Sequence, residues 1–170
     1  PFLNNRKIFC PRGKLEGGCS SHNGMVFVRG NAQDYNHWAQ KGLTNWSYNH
    51  VLPYFKKLEA WSEGENEYRG GKGPLHVSKS KTIDTNPLFQ AVVESAIQAG
   101  YAFTDDANGN LQEGFCTYDL TIKNGKRYGT SKAYMQEIYK RKNVDIFLNT
   151  QVQKIIIENK TAKGVEILIN

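Results

Sequence analysis

The residues best suited to chemistry are concentrated at positions 12–30, near the start of the chain. Glycines, small side chains and a polar pair follow one another there: Gly17, Gly18, Cys19, Ser20, Ser21, His22, Asn23 and Gly24. Glycines allow positive φ angles and a close approach of the backbone to a ligand. Successive backbone N–H groups beside small side chains form a concavity for anions or cofactors. The stretch therefore predicts a binding loop, with His22 and Asn23 at its rim.

Ordered motifs extend along almost the whole chain. A flavin-loop pattern, Arg-Gly-Lys-x-x-Gly-Gly-(Ser/Cys)-(Ser/Thr)-x-x-Asn-Gly followed by an aromatic residue and Arg-Gly, is matched by Arg12, Gly13, Lys14, Gly17, Gly18, Cys19, Ser20, Asn23, Gly24, Phe27, Arg29 and Gly30. Further matches lie at residues 34–38, 46–48, 51–57, 70–75, 86–89, 98–101, 105–109, 112–115, 127–134 and 164–166. On these residues the chain resembles the glucose-methanol-choline (GMC) oxidoreductases, and within them the choline dehydrogenase branch most.

The resemblance implies an α+β fold of helices with short strands, made of a fragment of the GMC FAD-binding fold and part of its substrate domain. Residues 1–35 would carry the flavin loop of the FAD-binding domain. Residues 36–143 would form a helical substrate-domain segment, and residues 144–170 would be strands that return to the FAD-binding domain. The Gly-x-Gly-x-x-Gly turn of the family is not found in the sequence. We therefore expect an internal piece of a larger flavoenzyme, marginally stable and inactive alone, with exposed apolar edges on its last strands.

The function implied is FAD-dependent oxidation of a primary, choline-like alcohol to the aldehyde, by hydride transfer to the flavin. Another alcohol (aliphatic, aryl or sugar) and a non-catalytic binding module remain as alternatives. The resemblance places the catalytic histidine outside this segment, so we assign no catalytic residue and no metal ligand. It implies these cofactor-binding residues: Arg12, Gly13, Gly17, Gly18, Cys19, Ser20, Ser21, His22, Asn23, Gly24, Met25, Val26 and Val152. The partners implied are the alcohol and the rest of the same polypeptide.

Two positions depart from the usual family pattern. Glu16 stands where most members have an apolar residue, and His22 stands where most have an aliphatic one. In choline oxidase, a Cys-Ser-Ser-His-Asn run like Cys19–Asn23 carries the histidine that bonds covalently to the flavin. His22 is thus a candidate for a histidyl–flavin bond, since a neutral imidazole nitrogen is a competent nucleophile. The alternative is an unattached polar residue beside the ring.

Composition narrows the class of protein. The chain has 170 residues, 39% hydrophobic, with a mean hydropathy of −0.61 and no apolar run near the ~20 residues of a membrane helix. Its net charge of +6 is scattered, so nucleic-acid binding is not expected. The three cysteines, Cys10, Cys19 and Cys116, are odd in number and widely spaced, which favours neither a disulfide framework nor a metal site. We predict a cytoplasmic location, and leave open an association with the inner face of a membrane.

Several elements follow from local patterns. A helix should begin at the cap Asn86 with Pro87 in its first turn and stop at Gly100, with one apolar face buried. Pro53 should break the helical region that Ser47 caps, so that a new helix begins there. Residues 62–85 should form a surface loop, apart from a strand at 75–78. The carboxylates and amides of 104–114 do not fit a calcium loop, and Asx turns are expected instead.

The last third should be richer in strands. Residues 115–122 favour a strand, with a hairpin turn at Asn124-Gly125. A helix should run from Thr130 or Ser131 to about Arg141. Three strands should follow, at 144–148, 152–158 and 162–169. Among aromatic residues, we expect mutual packing of Trp38, Trp46, Tyr54, Phe55 and Trp61, with a cage for a cationic substrate as the alternative.

Overall fold

The computed structural model describes residues 2–169, without the side chains of Phe2, Leu3 and Ile83. The chain divides into two compact units, one reaching to Gln136 and the other beginning at Glu137. Each unit is described by itself. None of the described helices is long and apolar enough to cross a membrane.

The helices lie mainly in the first unit. They are α1 (Ala32–Gln40), α2 (Tyr48–Leu58), α3 (Thr82–Thr85), α4 (Pro87–Gln98) and, after a π-helical turn at Ser131–Met135, α5 (Gln136–Ile138). Short 3-10 turns occur at Phe2–Asn5, Gly18–Ser21 and Thr44–Trp46. Asparagine caps start two helices: the Oδ1 atoms of Asn31 and Asn86 accept hydrogen bonds from Gln33 N (2.8 Å) and Leu88 N (3.0 Å). These bonds satisfy N–H groups that have no partner inside the helix.

The strands form four separate pairs. They are β1 (Val26–Phe27), β2 (Glu59–Trp61), β3 (Leu75–Val77), β4 (Asp119–Leu120), β5 (Ile122–Lys123), β6 (Lys126–Arg127), β7 (Thr150–Glu158) and β8 (Thr161–Ile169). Strand β2 pairs with β3 in parallel, whereas β1–β4, β5–β6 and β7–β8 are antiparallel. Mixed helices and short strands agree with the predicted α+β class.

A small apolar core in the first unit accompanies a larger buried polar group. The buried apolar residues among those described are Leu75, Val77, Val93 and Ala96. The buried polar ones are Arg29, Glu59, Arg69, Thr104, Asn108 and Asp119. Buried charges are tolerated only when they are paired and hydrogen-bonded, so the charged members of this group are expected to contact one another in one network.

Glu59 lies at the centre of that network. Its carboxylate accepts hydrogen bonds from Arg29 Nη2, from Arg69 Nε (3.0 Å) and from the backbone N–H of Gly70 (2.9 Å). Arg69 Nη1 also reaches Asp106 Oδ1 (2.6 Å) and Asp119 Oδ2 (2.7 Å). Two guanidinium groups and three carboxylates thus bring α2's end, the 66–70 loop and the 104–119 segment together.

Several predicted elements are confirmed. Helix α4 has Asn86 as its cap, and Gly100 follows it with a φ of +86°. Its buried residues are Val93 and Ala96, while Leu88 on the same helix stays 72% exposed. Strands β3, β7 and β8 match the predicted strands at 75–78, 152–158 and 162–169. Asn124 and Gly125 form the predicted hairpin turn between β5 and β6, both with positive φ.

Helix α2 corrects one prediction. It continues through Pro53 from Tyr48 to Leu58, and no new helix begins at the proline. Proline removes one backbone donor, but a helix packed on other elements tolerates that loss. The ring of Phe55, two residues later, packs edge-on against Tyr35 of α1 at 5.7 Å. Ser47 is the cap position, as expected, although its hydroxyl bonds to His50 Nδ1 (2.6 Å) instead of a backbone N–H.

The surface loop predicted at 62–74 is confirmed in part: residues 62–67 are exposed, but the segment turns inward at Arg69 and Gly70. Arg69 is fully buried and Gly70 is buried too. A Cβ atom on Gly70 would lie only 1.8 Å from the carbonyl oxygen of Lys56, so the glycine is needed for close packing. The polar composition of the loop reflects the network around Glu59. Helix α3 was also missed within 62–85.

Three further predictions were wrong in extent. Residues 144–148 form no strand, and the predicted helix to Arg141 is reduced to the π turn and α5. The predicted strand at 115–122 is present only as β4 and the first residue of β5. The strand at 115–122 was predicted from a partial alternation and the helix from a cap at Thr130 or Ser131, and neither signal determines the length of an element.

The predicted aromatic packing is confirmed for Trp38 and Trp46, whose ring centroids lie 5.9 Å apart, but other ring contacts centre on Tyr35. Tyr35 contacts Trp38 (5.3 Å), Tyr48 (6.4 Å) and Phe55 between ring centroids. The face of Trp61 is covered by Arg69 at 4.1 Å, and Tyr54 is 72% exposed. The cation over Trp61 is therefore one of the protein's own guanidinium groups, so this ring is not available for a substrate cage.

Candidate functional site

The loop begins with a tight glycine turn. Gly17 and Gly18 have φ angles of +80° and +52°, and the N–H of Gly18 donates to Leu15 O (2.9 Å). The 3-10 turn Gly18–Ser21 follows directly. A Cβ atom on Gly13 would lie 2.5 Å from Gly18 O, so the backbone of the preceding segment touches the turn. Positive φ and this approach explain why glycines occupy these positions.

Ser20 anchors the turn to a distant segment. Its Oγ donates to Gly17 O (2.6 Å) and accepts from the backbone N–H of Thr130 (3.0 Å). The Thr130 hydroxyl in turn donates to Gly17 O (3.2 Å). Gly129 is buried against Ser20, where a Cβ atom would lie 2.8 Å from the serine Oγ. The small side chains of the motif therefore serve the packing of the loop on residues 129–130.

Arg127 makes a second connection. Its Nη1 donates to Ser20 O (3.1 Å) and to Asn23 Oδ1 (2.8 Å). Asn23 Oδ1 also accepts the backbone N–H of Met25 (3.0 Å), which closes an Asx turn. Met25 has a φ of +63°, and its carbonyl oxygen accepts a hydrogen bond from the N–H of Thr121 (2.8 Å). Strand β1 then pairs with β4, so both ends of the loop are fixed by residues 119–130.

The buried polar network around Glu59 also contacts strand β1, which follows the loop. Asn108 Nδ2 donates to Phe27 O (3.1 Å) and to Asp119 Oδ2 (3.2 Å), and its Oδ1 accepts the N–H of Arg29 (2.7 Å). One side chain thereby joins the end of β1 to β4.

Burial lowers the pKa of Arg29, an effect that the charge of Glu59 partly offsets. Burial acts the same way on Arg69, but the hydrogen bond and charge of Glu59, with Asp119 and Asp106, raise its pKa overall.

The opposite side of the loop faces outward. Exposed residues there are Arg12, Lys14, Cys19, His22, Asn23, Gly24 and Val26, whereas Gly13, Gly17, Gly18, Ser20, Ser21 and Met25 are partly covered. Within the described residues, nothing lies within 4 Å of a Cβ atom built on Gly18 or Gly24. Among those same residues, the imidazole of His22 has no hydrogen-bond or ion-pair partner. The predicted loop residues thus lie in one segment of the first unit, which exposes backbone at Gly24 and the imidazole of His22.

The other sulfur and hydroxyl groups of the loop serve its own structure. Cys19 Sγ accepts the N–H of Gly13 (3.4 Å), and Ser21 Oγ donates to Glu16 O (2.7 Å). The guanidinium of Arg12 donates to the adjacent Pro11 O (3.3 Å).

In the described part of the chain, no group of three or more His, Cys, Asp or Glu residues forms a metal site.

Val152 is the one predicted site residue outside this patch. It lies in β7 of the second unit, is 49% exposed and pairs with Ile167. Its position relative to the loop stays a prediction.

Sequence reasoning missed Arg127, Thr130 and Asn108 as loop partners. They lie 79 to 113 positions from their loop contacts, so no local pattern connects them. The 127–134 segment had been recognised as a motif without a role. The one available signal was the Asn-Gly hairpin, which turns Arg127 back along β5.

The comparisons with known proteins concern the chain as a whole. The family model described as GMC oxidoreductase matches residues 1–169. The chain is 50% identical to the oxygen-dependent choline dehydrogenase of Rhizobium etli over 98% of its length. It is 46% identical to that of Photobacterium profundum over 97% and to the mitochondrial choline dehydrogenase of Mus musculus over 98%.

Solved structures agree in fold. Pyridoxine 4-oxidase from Mesorbium loti superposes with a TM-score of 0.85 at 26% identity, covering 93% of this chain and 31% of that one. An FAD-dependent oxidoreductase from Chaetomium thermophilum also gives a TM-score of 0.85 at 26% identity, covering 98% of this chain and 31% of that one. The chain spans only 28–30% of the length of the three curated relatives described above. The match of the family model to nearly every residue nevertheless decides the matter: the chain belongs to the GMC oxidoreductase family.

Proposed function

We propose that the polypeptide carrying this chain is an FAD-dependent oxidoreductase that oxidises a primary alcohol of the choline type to the aldehyde. The observation that carries the proposal is the outward face of the 12–26 loop, with open space over Gly18 and Gly24. A planar ring approaches a backbone most closely where no Cβ intervenes. The names of the curated relatives, which are choline dehydrogenases, support the substrate class.

The exposed groups of the loop support the proposal, because they are of the kinds that a flavin ring contacts. Exposed Val26 offers an apolar contact, and exposed His22 and Asn23 offer polar ones beside it. FAD, when bound, would supply the acceptor for the hydride removed from the alcohol carbon. The chain's own residues would hold the ring in place: Gly17 and Gly18 by their turn, and Ser20 and Thr130 by fixing that turn. No residue of the chain is assigned as the proton acceptor, and Val152 is proposed as a further cofactor contact.

His22 is proposed to contact the flavin, either through a covalent bond or as an unattached neighbour. Its exposed imidazole, without a partner among the described residues, is free for either role. A cytoplasmic location, with or without contact with a membrane surface, is likewise part of the proposal.

A second candidate is an oxidase for a different alcohol. The resemblance in fold to pyridoxine 4-oxidase supports it, but the identity is 26%, against 46–50% for the choline dehydrogenases. Turnover with choline, pyridoxine and simple aliphatic alcohols separates the two.

The test is the visible spectrum of the purified polypeptide that carries this chain, before and after acid precipitation. Flavin absorption is expected in the native protein. Colour that remains in the precipitate, and is lost from it in His22→Ala, would establish the covalent bond. Colour released to the supernatant would leave His22 as a neighbour of the ring. A colourless protein that also takes up no added FAD would contradict the proposal and favour a non-catalytic binding module.

A further inference from the structure

The side-chain amide of Asn23 has its two ends in different surroundings. Its Oδ1 accepts two hydrogen bonds, from Arg127 Nη1 (2.8 Å) and from Met25 N (3.0 Å). Its Nδ2 makes no hydrogen bond to any described residue, and the residue is exposed. Asn23 thus uses its acceptor inside the protein and presents its donor outside.

Arg127 fixes this orientation. A flip of the amide would place the NH2 group against a guanidinium and a backbone N–H, which are both donors. Arginine has no acceptor and cannot adapt by losing its proton. The flipped state would therefore lose two hydrogen bonds, one of them to a charged group, which are worth more than neutral ones.

The position of Arg127 is fixed by contacts of its own. The β5–β6 hairpin pairs it with Ile122, and its Nη1 also donates to Ser20 O (3.1 Å). The hairpin connects directly to Gly129 and Thr130, which pack on the glycine turn. The same short segment therefore sets the shape of the loop and the orientation of the one amide at its rim.

From this geometry we infer that Arg127 is a positioning residue, which turns the Asn23 amide so that Nδ2 donates a hydrogen bond to an acceptor on the bound flavin ring. The inference rests on the proposed function. Ring carbonyl oxygens and ring nitrogens of a flavin are such acceptors. They become more electron-rich when the flavin is reduced, so a fixed donor favours the reduced form.

The experiment measures the ratio of oxidised to reduced flavin at equilibrium with a reference dye, in the flavin-loaded polypeptide that carries this chain. Asn23→Ala should shift the ratio toward the oxidised form by about threefold to tenfold, the worth of one hydrogen bond. Arg127→Met should shift it in the same direction, and Arg127→Lys, which keeps the charge and one donor, should recover part of the shift. The double variant should shift it less than the two single effects combined, because Arg127 acts through Asn23.

Two matched variants separate this role from charge and from general structure. Lys126→Met removes one positive charge from the neighbouring position of the hairpin, where the side chain is exposed, and should leave the ratio near the wild-type value. Asn45→Ala removes an exposed asparagine from the 3-10 turn at Thr44–Trp46 and should do the same.

The outcomes are distinct. An unchanged ratio in Asn23→Ala overturns the inference even if Arg127→Met fails to fold. Fully independent effects of Asn23→Ala and Arg127→Met, or an equal effect of Lys126→Met, overturn it as well. A wild-type protein that binds no flavin contradicts the proposed function instead.

Discussion

The two units differ in what they bury: the first encloses charged side chains, whereas no residue described in the second is buried. The first buries two arginines and a glutamate, Arg29, Arg69 and Glu59, at 5% exposure or less. The β7–β8 hairpin of the second exposes apolar side chains such as Ile157 (66%) and Val165 (51%). The buried charges of the first unit therefore have their partners within that unit. The hairpin exposes consecutive apolar residues on both strands, at 155–157 and 167–169, as predicted for the last strands.

The largest expected effect is at the centre of the buried network. Glu59→Leu would leave Arg29 and Arg69 without their shared carboxylate, and breaking a buried pair in this way costs about 3–5 kcal/mol. Chemical denaturation of the chain should show that loss, or no cooperative transition at all. Glu137→Leu serves as the control, because its pair with Lys140 is 77% exposed on both sides and should matter by less than about 1 kcal/mol. Equal stability of the two variants would contradict the comparison.

A second prediction compares one glycine from each unit. Gly70→Ala places a Cβ atom 1.8 Å from Lys56 O and should destabilise the first unit by about 3 kcal/mol. Gly164→Ala in β8 meets nothing within 4 Å among the described residues, and its φ is not in the left-handed region. It should be neutral or stabilise by up to about 1 kcal/mol. Thermal unfolding of both variants checks this, and a tolerated Gly70→Ala would show that the 66–70 loop is loosely packed.

A pair of valines gives a smaller difference. Val77 is fully buried in β3, so Val77→Ala should cost about 2 kcal/mol through lost burial and a small cavity. Val165→Ala in β8 should cost less than about 0.5 kcal/mol in the 170-residue chain, because half of the side chain is already exposed. Urea midpoints of the two variants give the comparison. A large cost at Val165 would mean that the hairpin is covered already.

The smallest effect is a dependence on pH within the first unit. Burial lowers the pKa of His76, and the charge of Lys123 lowers it further. Below the ordinary value of about 6.5, the unfolded chain therefore takes up this proton more readily than the folded chain. The contribution is fully present above about pH 6.5 and is lost as the pH falls toward the folded pKa. His76→Gln should flatten the fall in stability between about pH 7 and about pH 5, and an unchanged slope would assign that fall to other groups.

Local signals predicted some elements well and others poorly. Asn86 with Pro87, and Asn124 with Gly125, determined their elements, because capping and hairpin turns depend on adjacent residues. The turn at Gly17 and Gly18 was also predicted, because consecutive glycines beside small side chains favour a turn with positive φ angles. The partners of that loop, Arg127, Thr130 and Asn108, were not, because tertiary contacts across the chain bring them there. The buried Arg69 was hidden in a glycine-rich polar stretch that looked like a surface loop.

Gly24→Leu tests the central claim, that the outward face of the 12–26 loop binds the flavin ring, most directly. The substitution fills the open space over a residue whose backbone does not require glycine, so the fold should be retained. Circular dichroism and the melting temperature would check that retention, and the flavin absorption of the purified polypeptide would be compared with that of the wild type. We expect a folded protein that has lost most of its flavin. A folded variant with full flavin absorption would contradict the claim.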